Sequence, residues 1–129
     1  MLRETLTYSI DEVLLALIQS KDKMGFSIPI IKRLFESYIN NSLLGVEKLL
    51  DAVEKNDNQL IKEKAHALRG TSLTLQLNKI AERCYSIEYG EEGLSDEDYA
   101  KLAKETGELV ISIFNQKEMI IERLDTLND

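Results

Sequence analysis

The stretch Asn58-Gln59-Leu60-Ile61-Lys62-Glu63-Lys64-Ala65-His66-Ala67-Leu68-Arg69-Gly70-Thr71-Ser72-Leu73-Thr74-Leu75-Gln76 reads as one amphipathic helix. At roughly 100° per residue, Ile61, Ala65, Leu68, Ser72 and Leu75 fall on one side, spaced i, i+4, i+7, i+11 and i+14. His66, the only histidine in the chain, points about 160° away from Leu68 by the same arithmetic. Gln59, Lys62, Glu63, Arg69, Gly70 and Leu73 share its outward face. An exposed imidazole with a cation one turn to each side and a glycine one turn ahead suits an anionic partner.

The same periodicity recurs almost everywhere else. Ser9 caps a short first helix, about 9–21, with Val13, Leu14, Leu17 and Ile18 as its apolar stripe. Asp22–Ser27 reads as a loop. Ser27 and Pro29 open a second helix that runs to about Lys55, with weak propensity and a bend near Asn40-Asn41-Ser42. Asn56-Asp57-Asn58 is a turn and cap cluster. After a break near Gln76-Leu77-Asn78, a shorter helix turns Leu77, Ile80, Ala81, Cys84 and Ile87 inward. Tyr89–Leu94 reads as a loop. Ser95 then caps one long last helix, with Asp96, Glu97 and Asp98 in its first turn, where the dipole favours anions, and a stripe from Tyr99 to Leu124. No segment alternates as a half-buried strand does. The expected architecture is all-α: a single domain over 1–129, built as an antiparallel four-helix bundle (about 28–126) with a short additional N-terminal helix.

Composition narrows the function. Apolar residues make up 43% and charged residues 30% of 129, a balance that sustains one packed core and excludes general disorder. The formal charge of −7 argues against nucleic acid, whose phosphates call for clustered Lys and Arg. No apolar run reaches the ~18–20 residues of a membrane span, and no signal-peptide layout opens the chain. One cysteine, Cys84, precludes an internal disulfide framework. A cytoplasmic protein is expected.

Four chemistries compete for His66. It is a histidine that happens to be exposed, a metal ligand, an acid–base or nucleophilic catalyst, or a phosphoryl carrier. Glu63 and His66 match the Glu-x-x-His spacing of di-iron bundles, but those sites repeat the motif and direct it into the core; no metal site is expected. No G-x-x-x-x-G-K or G-x-G-x-x-G loop is present to hold a nucleotide, so autonomous kinase activity is not expected. A phosphoryl carrier needs only an accessible nitrogen, nearby positive charge and room for a partner that brings the rest.

Ala65-His66-Ala67-Leu68-Arg69-Gly70-Thr71-Ser72, followed by Ile80-Ala81-Glu82-Arg83-Cys84-Tyr85-Ser86-Ile87-Glu88, resembles the histidine-containing phosphotransfer (HPt) domain. The family pattern is roughly Ala-His-x-Leu-Lys-Gly-Ser/Ala-Ser/Ala, then Ile/Leu-Ala-x-x-Cys-x-x-Ile/Leu-Glu. Leu49–Asp57 also fits the end of the family's preceding helix, and the resemblance from Leu34 to Glu88 covers about half of the chain. It implies a phosphorelay intermediate that accepts a phosphoryl group on His66 from a receiver-domain aspartate, or from a histidine kinase, and passes it to another response-regulator receiver. Arg69, and Lys62 beside it, would supply positive charge to the phosphoryl oxygens. Gly70 would leave room for the receiver loops, while Glu63 and Leu73 would support docking. Thr71 and Ser72 lean toward the core. The implied partners are receiver domains and a hybrid histidine kinase. Mg²⁺ would belong to the receiver, with no cofactor on this chain, and the protein would be a monomer. Two positions depart from the pattern: Arg69 replaces the usual lysine, and Gln76 stands where most members turn on glycine. A left-handed backbone there costs Gln strain that Gly avoids, so a different turn is expected. The competing class is a non-catalytic helical module that sequesters a receiver or another partner.

Overall fold

The computed structural model describes residues 6–90 and 94–127. Six helices follow in order, with no strand among the described residues: α1 Ile10–Met24, α2 Ile28–Glu54, α3 Asn58–Thr74, α4 Asn78–Tyr89, α5 Asp96–Asn115 and α6 Lys117–Asp125. Helices α2 to α5 form a closed ring of neighbours, α2 on α3, α3 on α4, α4 on α5 and α5 back on α2. Short connections make successive members antiparallel. Helices α1 and α6 pack on each other and on α2.

Side-chain caps set most of the starts. Ser9 and Glu12 form a reciprocal capping box, as do Ser95 and Asp98. The Ser27 and Asp57 side chains accept from the backbone N–H groups of Ile30 and Leu60, satisfying donors that have no partner within the helix. Helix α1 runs past its expected end near residue 21 to Met24. The stop is Gly25, whose φ of +71° suits a residue without a Cβ; the loop expected over Asp22–Ser27 shrinks accordingly. Helix α2 passes through Asn40-Asn41-Ser42 unbroken; Ser42 is buried there and its hydroxyl donates to the Ile39 carbonyl at 3.3 Å. Tyr89 closes α4 rather than opening the following loop, of which residues 91–93 lie outside the described residues.

Two turns decide how the bundle closes. Between α3 and α4 the chain does take the left-handed conformation: Gln76 sits at φ +60°. The Gln76 and Leu77 N–H groups donate to the carbonyls of Leu73 and Ser72, so the helix end is satisfied despite the strain. The expected single last helix is two helices. It breaks at Gln116, whose Nε2 donates to the Tyr8 carbonyl at 2.6 Å and the Ser112 carbonyl at 2.9 Å, while the Tyr8 N–H donates to Ser112 Oγ at 2.9 Å. The segment before α1 is thereby tied to the end of α5, and α6 folds onto α1 and α2.

The core lies inside the ring, with Phe35, Ile39, Leu49, Ile61, Ile80 and Leu109 among its fully buried side chains. It holds one polar link between α2 and α3. Ser72 Oγ donates to the Leu68 carbonyl at 2.7 Å, which leaves Ser72 as acceptor of the Tyr38 hydroxyl at 2.9 Å. Both groups are thus satisfied away from water, and burial holds the Tyr38 hydroxyl well above the usual range of a phenol.

Candidate functional site

Helix α3 buries Ile61, Ala65, Leu68 and Ser72, the stripe read from its periodicity, and this rotation puts His66 on the outside. The imidazole side chain is 68% exposed. Helix α4 packs closely along α3, with small buried residues on both sides (Ala65; Ala81 and Cys84). It brings Glu88 beside the histidine, with Oε1 2.6 Å from His66 Nδ1. An ionised carboxylate can only accept, so Nδ1 carries the proton and Nε2 of the neutral ring holds the free lone pair.

Glu88 is itself held. Its other oxygen, Oε2, accepts from Arg69 Nη1 at 3.0 Å, and its side chain is only 11% exposed. Burial pushes the carboxyl upward, but hydrogen bonds from Tyr89, His66 and Arg69 outweigh it and hold Glu88 below the usual carboxylate value. The Arg69 guanidinium lies 5.3 Å from the ring centres of both Tyr85 and Tyr89, which are 5.0 Å from each other. Arg69 is therefore directed across to α4, whereas Lys62 is exposed on the face of His66.

Glu63 is exposed and accepts at 3.5 Å from Gln59 Nε2. Gly70 is exposed, and a Cβ built on it would meet nothing within 4 Å, so the space ahead of His66 is open. Leu73 is 43% exposed on the same side. Ser72 lies in the core as read from the sequence. Thr71 does not: it is exposed, with its hydroxyl donating to the Leu68 carbonyl at 3.1 Å. It lies about 60° round the helix from Leu68 and about 100° from Ser72, at the edge of the buried stripe. Cys84 is buried, and burial pushes its thiol up to about 12, so it behaves as a small core residue.

Sequence reading alone missed Glu88, Tyr85 and Tyr89 as members of the site. The available signal was that all three leave the Ile80, Cys84 and Ile87 stripe together, with two aromatic residues at i and i+4 on a face expected to be solvated.

A shallow depression of about 270 Å³ lies between α2 and α3, lined by Leu44, Gly45, Lys48, Lys64, Ala67 and Leu68 among others; His66 is not in its lining. His66 instead stands on the outer face of α3, its side chain largely exposed. Among the described residues, no group of three or more His, Cys, Asp or Glu side chains is placed to hold a metal ion, and no helix is long and apolar enough to cross a membrane. Residues 33–114, more than half of the chain, match the family model of the Hpt domain. Comparison with curated proteins and with solved structures gave no match.

Proposed function

Because the chain belongs to the Hpt-domain family, whose members transfer phosphoryl groups through histidine in two-component phosphorelays and interact there with receiver domains and kinases, we propose that His66 is the phosphoryl-carrying residue. The observation that carries this reading is the 2.6 Å bond between His66 Nδ1 and Glu88 in a ring that is otherwise exposed. In the neutral ring this bond leaves the lone pair on Nε2, which is the form a nucleophile needs.

In the proposed step the Nε2 lone pair attacks the phosphorus of a receiver's aspartyl phosphate. The N–P bond forms as the P–O bond to the aspartate breaks, and the carboxylate leaves with the electron pair. The ring gains positive charge while it keeps the Nδ1 proton, and Glu88 offsets that charge through the bond already in place. Such transfers pass through a loose transition state in which positioning and charge neutralisation do most of the catalysis. Lys62 supplies an exposed cation for the phosphoryl oxygens, Arg69 adds charge to the site from its place on Glu88, and the open space at Gly70 admits the receiver's loops. Leu73 and Glu63 sit where the rim of a docked receiver would lie. A nucleophile whose side chain is 68% exposed suits a protein co-substrate, and Mg²⁺ belongs in this proposal to the receiver. Transfer in reverse, to a second receiver, uses the same groups. In this reading the protein acts as a monomer, as the family resemblance implies, and in the cytoplasm.

The test is transfer of radiolabel from a panel of phosphorylated receiver domains to the wild-type protein and to His66→Gln. Label on wild type alone, acid-labile and base-stable, supports the carrier reading. If neither form takes label while both bind a receiver equally, the protein is a sequestering module and the proposal fails.

A further inference from the structure

We propose that Tyr85 and Tyr89 are positioning residues for His66, acting through Arg69 and Glu88. This inference rests on the reading of His66 as the nucleophile. Its starting point is a pair of large side chains that the core does not explain: Tyr85 is 53% exposed and Tyr89 56% exposed, one turn apart on α4. Their ring centres lie 5.0 Å apart and each is 5.3 Å from Arg69 Cζ, so both rings adjoin a single guanidinium from the same side, inside the distance at which a cation is drawn to an aromatic face.

Arg69 extends from α3 to reach Glu88 on α4, and a long side chain on a helix surface has many rotamers open to it. Without the rings, most of those would leave Glu88 for water. The carboxylate uses one oxygen for each neighbour, Oε1 for His66 and Oε2 for Arg69. Releasing Oε2 frees the carboxylate to rotate, and a rotating carboxylate no longer fixes the Nδ1 proton.

The geometry also gives a reason for arginine at a position where the family usually has lysine. A guanidinium can lie against aromatic faces and still donate in its own plane to a carboxylate. An ammonium is a compact point charge, and cannot present a flat face to two rings while it donates to Glu88.

The experiment exploits the fact that the chain has one histidine, so a long-range ¹H–¹⁵N spectrum of the untagged, full-length protein shows one imidazole ring. At alkaline pH, where the ring is neutral, the spectrum reports the ratio of the Nδ1–H to the Nε2–H form. Wild type is expected to be mainly Nδ1–H. Tyr85→Leu/Tyr89→Leu should lower the ratio about 5-fold, the order that two part-exposed cation–π contacts sustain, and slow transfer from a phosphorylated receiver by a similar factor. Tyr85→Phe/Tyr89→Phe keeps the rings and should restore most of both. An unchanged ratio in the Leu pair overturns the proposal. Should that pair fail to fold, Arg69→Gln, a surface change on α3, must lower the ratio in its place, and an unchanged ratio there overturns it equally. The ratio is read without a receiver, so the two ideas fail separately. A shifted ratio in a protein that never takes label keeps the positioning inference and removes the carrier reading, whereas label with an unshifted ratio does the reverse.

Discussion

Replacing Glu88 tests how much of the site's chemistry depends on orienting the imidazole. In Glu88→Gln the shape remains and the charge goes. The bond from His66 Nδ1 then weakens from charge-assisted to neutral, and Arg69 loses its anionic partner. Hydrogen bonds to charged groups contribute roughly 1.5–3 kcal/mol and neutral ones about 1. Because the imidazole is 68% exposed, screening puts the difference at the low end, about 1 kcal/mol, or about 5-fold in rate. Glu88→Ala removes the acceptor altogether. It should cost about 2 kcal/mol, roughly 30-fold in rate, partly through the reactive form of the ring and partly through charge left unbalanced as the N–P bond forms. The assay is single-turnover transfer by rapid quench, with saturating phosphorylated receiver, so that docking and chemistry separate. The expected order is wild type, then Gln, then Ala, with melting temperatures within a few degrees of one another. Single-turnover rates for Glu88→Ala within twofold of wild type, in a folded protein, would show that Glu88 does not orient the imidazole for transfer.

Three further outcomes follow from particular residues. Gly70→Ala should raise stability by about 0.5–1 kcal/mol, the helix-interior cost of glycine, since nothing obstructs the added methyl; Gly70→Gln should fold equally well but slow transfer more than about tenfold by filling the approach to His66, which the same quench assay reads against thermal melts. Gln76→Gly should relieve the left-handed backbone at φ +60° and raise stability by about 0.5 kcal/mol, less than the full strain because glycine gains freedom in the unfolded chain. Glu88 and Glu12 both titrate below their ordinary value of 4.5, Glu88 because its hydrogen bonds outweigh burial and Glu12 chiefly because of its bond from Lys79. Depressed folded-state values stabilise the protein above 4.5 and lose that contribution as pH falls through them, so the acid limb of a urea-midpoint profile should flatten in Glu12→Gln/Glu88→Gln and stay as steep as wild type if the two bonds contribute nothing.

The elements that could be read from the sequence are those decided locally. Ser9, Ser27, Asp57 and Ser95 announce helix starts because a cap acts within three residues of itself. The α3 stripe and the outward place of His66 follow from the helical period alone. The break at Gln116 was not legible, and the reason is specific: Ile113 and Ile120 are seven residues apart, nearly two full turns, so the stripe stays in phase across the break. At the break, Gln116 and Ser112 each bond to the backbone of Tyr8, at the far end of the chain. The site divides along the same line. The proposed nucleophile, the open glycine and the exposed lysine belong to one helix and could be read together. The carboxylate bonded to the ring, and the two tyrosines against Arg69, come from α4, and only the packing of α3 on α4 brings them within reach. The turn at Gln76 shows a third case. The expectation that Gln would avoid a left-handed backbone weighed the local strain correctly, but the tight connection of two packed helices outweighs a strain of about 1–2 kcal/mol.

The central claim is that Nε2 of His66 receives the phosphoryl group while Glu88 keeps the proton on Nδ1. The most direct measurement is ³¹P and ¹⁵N NMR of the ¹⁵N-labelled protein after transfer from a phosphorylated receiver, with phosphorus–nitrogen coupling used to identify the bonded ring nitrogen. The account expects a single phosphohistidine, coupled to Nε2, with the proton retained on Nδ1. Phosphorus on Nδ1, or a phosphoryl group held on any residue other than His66, would contradict it.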